Sequence, residues 1–104
     1  MSKISVLAKL TCASGKRDEV AAAFDAMLAH VESEPGTELY VLHDDIANPD
    51  VLWVYELYSD QAGLDAHSSS DAMMALFGAL GGELMGAPPE LMLLTPRGAK
   101  GVSL

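Results

Sequence analysis

Two segments of this chain read as strands that are apolar on both sides. In Val51–Tyr58, successive side chains point to opposite faces, so Val51, Trp53, Tyr55 and Leu57 share one face and Leu52, Val54, Glu56 and Tyr58 the other. In residues 90–95, Leu91 and Leu93 oppose Met92 and Leu94. A sheet with one wet side alternates apolar with polar residues, whereas a sheet covered twice does not. The chain has 104 residues, enough for one domain, and its helical segments suffice to cover only one sheet face. The simplest cover for the other face is a second copy of the same sheet. The strands therefore predict a two-fold homodimer, which also relieves the shortage of buried surface in so small a chain.

The remaining segments supply the helices and the other strands. Residues 3–11 alternate, with Ile4, Val6, Ala8 and Leu10 against Lys3, Ser5, Lys9 and Thr11, interrupted by Leu7; this predicts a first strand. Ala13, Ser14 and Gly15 form a turn, with Ser14 a helix cap. Over residues 16–32 the apolar positions Val20, Phe24, Met27, Leu28 and Val31 recur at helical spacing, which predicts one helix covering a sheet face; Pro35-Gly36 ends it. Residues 37–46 read as a second strand. Asn48-Pro49-Asp50 is a turn signal, and the short link to Val51–Tyr58 implies an antiparallel hairpin. Ser59 and Asp60 can cap a following helix that carries His67. Ser68 to Ser70 predict a break near Ser69 or Ser70, before a second helical segment over residues 71–80. Pro88-Pro89 precedes the last strand. The order β-α-β-β-α-β is a ferredoxin-like antiparallel sheet of the α+β class, with residues 1–96 as the domain and 97–104 as a tail or an arm that embraces a partner.

Composition narrows the partners. Fifteen acidic against six basic residues give a formal charge of −9, which repels phosphate backbones and anionic lipid, so neither nucleic acid nor a membrane surface is an expected partner. No apolar run approaches the ~20 residues that span a bilayer, and no secretory leader is visible. Cys12 is the only cysteine, which excludes an intrachain disulfide and is compatible with a cytoplasmic location. It has no activating neighbour in the sequence and is not expected to be a nucleophile.

The chemistry-bearing residues gather around the strand-to-helix junction. An imidazole can take a proton from a phenol or an acidic carbon, which makes His67 a candidate base; otherwise it is a helix-surface histidine. Glu56, flanked on its face by Val54 and Tyr58, is expected to be partly buried and to need a partner: His67, a backbone amide or a tyrosine hydroxyl. His67 and Glu56 are thus the candidate catalytic pair. Tyr58, Tyr40, Trp53, Met73 and Phe77 are candidate substrate-binding residues, with aromatic rings able to line a slot for a planar ligand. At strand spacing such rings are more often core or interface. Strand parity puts Glu56 and Tyr58 with His67 on the helix side and turns Trp53 and Tyr55 toward the partner. Met73, Met74, Met85 and Met92 are candidates for a pliable pocket wall. His30, near the end of the first helix, suits the helix dipole. His43, Asp44 and Asp45 point to alternate faces and do not make a metal site. No GxGxxG, CxxC or HExxH occurs, so the sequence offers no reason to propose flavin, nicotinamide or metal.

Tyr55, Glu56, Tyr58, Asp60, Ala62 and His67 resemble the central segment of the antibiotic biosynthesis monooxygenase family. The run E-x-E-P-G-T-x-x-Y, from Glu32 to Tyr40, and Asn48-Pro49-Asp50 fit the same pattern. The resemblance extends over about residues 3–96 and implies a dimeric α+β barrel. It also implies a cofactor-independent monooxygenase that oxidises a small phenolic, quinol or polyketide-like aromatic with O2, using His67 as base. Alternatives on the same scaffold are a haem-degrading enzyme, a phosphosugar isomerase, and a non-catalytic, stress-related dimer that sequesters a small apolar molecule. Residues 71–80 lack the histidine a haem-degrading relative places there, and the scarcity of Lys and Arg speaks against a phosphorylated ligand.

Overall fold

In the computed structural model, which describes residues 2–104, the chain runs β1 (Ile4–Thr11), α1 (Arg17–Ala23), α2 (Asp25–Val31), β2 (Thr37–Asp44), β3 (Val51–Tyr58), α3 (Gln61–Ser68), α4 (Asp71–Ala79) and β4 (Glu90–Leu94). The strands form one antiparallel sheet in the order β2-β3-β1-β4. This is the ferredoxin-like α+β arrangement that the element order predicts. The break at Ser69 and Ser70 is present between α3 and α4.

Three local expectations are corrected. The first helix, expected unbroken, divides at Phe24, whose N–H bonds to the Ala21 carbonyl at 3.0 Å; this three-residue spacing tightens one turn. Ser14 does not cap α1, which begins after Lys16 without a side-chain cap. Asp50 closes that turn instead, its carboxylate accepting from the Gly15 N–H at 3.0 Å, while Gly15 adopts a φ of 74° that suits glycine. The second strand ends at Asp44 rather than Ile46, because Asp45 accepts from the N–H groups of Ala47 and Asn48 and so bends the chain.

The register sorts the sheet into two faces. Val6, Ala8 and Leu10 stand opposite Glu56, Val54 and Leu52; Tyr40 and Leu42 stand opposite Glu56 and Val54; Leu93 and Leu91 pair with Val6 and Ala8. Val20, Phe24 and Met27 from α1–α2, with Leu76 and Leu80 from the α4 end, cluster with this face alone. The far face carries Leu7, Val41, Trp53, Tyr55, Met92 and Leu94, of which Val41, Met92 and Leu94 are exposed; Val51 and Leu57 on that side are buried. The tail returns to its own chain, where Lys3 Nζ donates to the Ser103 carbonyl.

One contact fixes how α3 sits against the turn that enters β2. The backbones of Gly36 and Gly63 approach so closely that a Cβ on Gly63 would lie 2.7 Å from the Gly36 carbonyl oxygen, and one on Gly36 would lie 2.6 Å from Gly63 Cα. Only a residue without a side chain fits at either position. The same Gly36 carbonyl accepts from the Ser59 N–H at 3.0 Å. Glu34 and His67 flank this joint.

Candidate active site

His67 lies in the last turn of α3. That helix is started by Asp60, whose Oδ1 accepts from the Gly63 N–H at 2.9 Å. Ser70 then starts α4, its Oγ accepting from the Met73 N–H at 3.1 Å and donating to the His67 carbonyl at 2.8 Å. The two caps hold the histidine between helices. Its side chain is 2% exposed, so each ring nitrogen needs a partner or a purpose.

Nδ1 has a partner that sequence reasoning missed. It lies 2.8 Å from Glu34 Oε1. Glu34 also accepts from the Thr37 hydroxyl at 2.8 Å and, through Oε2, is 3.0 Å from His30 Nε2. Burial by itself would raise the Glu34 carboxyl, but the hydrogen bonds from His67 and Thr37 and attraction to the two imidazoles outweigh it and hold the group below the usual carboxylate range. Glu34 is therefore ionised, and Nδ1 donates to it. That fixes the tautomer and leaves the Nε2 lone pair free. Nε2 is buried and has no hydrogen-bond partner among the described residues.

Of the partners weighed for Glu56, His67 is not in direct contact, its Nε2 lying 4.0 Å from Oε1; the tyrosine hydroxyl is the one it takes. Tyr58 donates this hydroxyl to Oε1. Burial raises the Glu56 carboxyl and the nearby Glu34 charge adds to this, against lowering by the Tyr58 hydrogen bond and by His67. Burial, helped by Glu56 and Glu34, also raises the phenols of Tyr40 and Tyr58. The rings of Tyr40 and Tyr58 sit 5.1 and 5.5 Å from the imidazole.

His67 and Glu56 open onto a cavity of 310 Å³ between helices and sheet. Tyr40, Met73 and Phe77, three of the candidate residues, line it, and Phe24, Val54 and Leu76 complete an almost wholly apolar wall. Phe77, Leu91 and Leu93, each about 60% exposed, flank the side between α4 and β4. Tyr58 stands behind Glu56 and is not part of the wall. Trp53, expected as a substrate-binding ring, is not there either: odd strand parity puts it on the far face, where its indole N–H donates to Asp45 at 2.8 Å and Lys9 Nζ lies 5.7 Å from the ring. Of the four methionines considered for the wall, only Met73 reaches it. Among the described residues no group of His, Cys, Asp or Glu is arranged to hold a metal ion, and no helix is long and apolar enough to cross a membrane.

Residues 3–78 match the family model described as antibiotic biosynthesis monooxygenase. The chain belongs to this family. Solved structures of similar chains extend over nearly its whole length. One from Caulobacter crescentus CB15, provisionally assigned as an antibiotic biosynthesis monooxygenase, is 28% identical over 93% of this chain and 92% of its own, with a TM-score of 0.86. Rv0793 from Mycobacterium tuberculosis is 26% identical over 94% and 98%, TM-score 0.85. A conserved protein from Methanosarcina mazei Go1 is 25% identical over 93% and 95%, TM-score 0.85. No curated protein matches the chain. For the monooxygenase-family chain described here, Glu34 falls within the Glu32–Tyr40 run that carries part of the resemblance. That run was the one sequence signal able to flag it.

The Glu34 network has a pH signature. With its folded-state value below the ordinary ~4.3, Glu34 stabilises the fold at pH above that value, and the contribution is lost as pH falls through the lowered one. Between about pH 6 and about pH 3 the wild-type protein is expected to lose more stability than Glu34→Gln, measured as urea midpoints. Parallel curves would show that the carboxylate contributes nothing through its charge.

Proposed function

We propose that the protein is a cofactor-independent monooxygenase that oxidises a small phenolic, quinol or anthrone-type aromatic with O2. The observation that carries this reading is the Glu34–His67 dyad, which presents an unpartnered Nε2 to an apolar cavity. Nε2 removes a proton from the substrate, and the dyad carboxylate offsets the charge that appears on the imidazole. The resulting carbanion passes one electron to O2, and the substrate radical and superoxide combine to form a C–O bond. His67 returns a proton to the distal oxygen. Where the carbon keeps a second hydrogen, the hydroperoxide loses water and leaves a ketone. All reducing electrons come from the substrate, one oxygen atom entering the product and the other leaving as water. Glu56, on the cavity wall 4.0 Å from Nε2, helps to position the substrate's reacting carbon beside the base. Tyr40, Met73 and Phe77 orient the ring and exclude water.

The same reading includes a homodimer built on the far face of the sheet, where Val41, Met92 and Leu94 are exposed, and a cytoplasmic location, which suits the buried free thiol of Cys12. Light scattering is expected to give particles of twice the 11.0 kDa chain mass, and Leu94→Asp is expected to give single chains. Single wild-type chains at micromolar concentration would remove the dimer from the reading.

Oxygen uptake with a panel of anthrones and reduced quinones tests the chemistry. Uptake above the uncatalysed rate supports it. Tight binding with no uptake, the ligand being recovered unchanged, would instead mark the protein as a sequestering module.

A further inference from the structure

We infer that the substrate carries an alkyl or prenyl chain on the side of its ring away from the reacting group, and that this chain leaves the cavity over Phe77, Leu91 and Leu93. The inference rests on the reading of the cavity as the site of an aromatic substrate. It adds the part of the ligand that no catalytic group touches.

The cavity changes character along its length. Its polar lining, Tyr40, Glu56, His67 and Ser68, comes from β2, β3 and the end of α3. Every lining residue from β1, α4 and β4 is apolar. Two rows across the sheet make the floor. One runs from Tyr40 through Glu56 and Val6 to Leu93, and the next from Val54 through Ala8 to Leu91. Neighbouring strands stand ~4.8 Å apart, so Leu93 lies roughly 10 Å from Glu56 along its row.

The apolar end is open. β4 is the edge of the sheet, and Phe77, Leu91 and Leu93 line the cavity there while remaining largely exposed. Met74, three residues before Phe77 and so on the same side of α4, is exposed as well. A contiguous apolar strip on a surface marks a place where something binds, and this one continues the cavity that holds Nε2. No charged side chain lines this end, so a phosphate or carboxylate would find no counter-charge, whereas methylenes would leave water. The rows also fix where the chain is attached. A ring whose hydroxyl meets Nε2 lies over Val6 and Ala8, and its para position is then directed at Leu91 and Leu93. The occupant is a phenol or quinol with an aliphatic substituent opposite the reacting hydroxyl.

Para-alkylphenols separate the ring from the substituent. Titrated into the whole protein under argon and followed by NMR, para-butylphenol is expected to bind about ten-fold more tightly than para-cresol, because the added methylenes leave water. The methyl signals of Leu91 and Leu93 should move with the butyl compound and stay in place with the cresol. In the double variant Leu91→Gln, Leu93→Gln, made at exposed positions that the fold tolerates, the advantage shrinks to about two-fold. Equal affinities in the wild type, or an advantage that the double variant keeps, overturns the groove and leaves the ring site standing. Single chains of the double variant where the wild type is a dimer, read by light scattering, would show that a second copy covers the strip, and also overturns it. No binding of either phenol overturns it too. The full butyl advantage with no oxygen uptake from any anthrone or quinol would support the groove and remove the oxidation chemistry.

Discussion

The His67→Gln protein is expected to take up oxygen about a thousand-fold more slowly than wild type with any substrate that the wild type oxidises. Glutamine is the informative replacement. Its amide N–H can still donate to Glu34, so the carboxylate keeps a partner and the fold keeps its joint, but no basic lone pair faces the cavity. The loss should fall on kcat with little change in KM, since the apolar wall that binds the ring is untouched. His67→Ala mixes two effects, adding the cost of a buried acceptor left unpaired at Glu34, about 1–3 kcal/mol. An oxygen-uptake rate in His67→Gln within two-fold of wild type would mean that the free Nε2 has no part in the chemistry.

The second large effect falls on stability. Gly63→Ala is expected to lower the unfolding free energy by about 3 kcal/mol, because the new methyl group would meet the Gly36 carbonyl oxygen at 2.7 Å and Gly36 Cα at 3.1 Å. Both obstacles are backbone, so neither can swing aside as a side chain would. Gly78→Ala in α4 is the control. A Cβ there meets nothing within 4 Å, and the helix propensity of alanine should leave stability equal or raised by up to about 1 kcal/mol. Because Glu34 and His67 flank the joint, the Gly63 variant should also lose activity beyond what its folded fraction explains. Equal urea midpoints for the two variants would show that the glycine contact is slack.

The strand pairing was legible because a period of two is a local signal. Val51–Tyr58 and the Asn48-Pro49-Asp50 turn defined the central hairpin without help from the rest of the chain. The break at Ser69 and Ser70 was equally local, since a serine cap is read within four residues. The division at Phe24 was not, because the stripe from Val20 to Val31 is continuous and carries no local sign of the tightened turn. Trp53 shows the difference within one residue. Its parity was plain from the strand, so its absence from the cavity followed as soon as the helices were known to cover the other face.

Glu34 shows what a linear reading does not reach. It is 33 residues from His67, on a turn that carries no periodic signal, and nothing near either residue announces their contact. Glu56, two residues from Tyr58 and eleven from His67, looked like the natural partner because sequence reasoning weights what is close along the chain. The chain order and the sheet faces were determined by the sequence alone, through side-chain alternation and capping chemistry that act over a few residues. Which carboxylate holds the imidazole, which nitrogen is left free and where the cavity lies were decided only in three dimensions. The physical reason is the approach of Gly36 to Gly63, a contact between two residues with no side chains, which brings distant segments together.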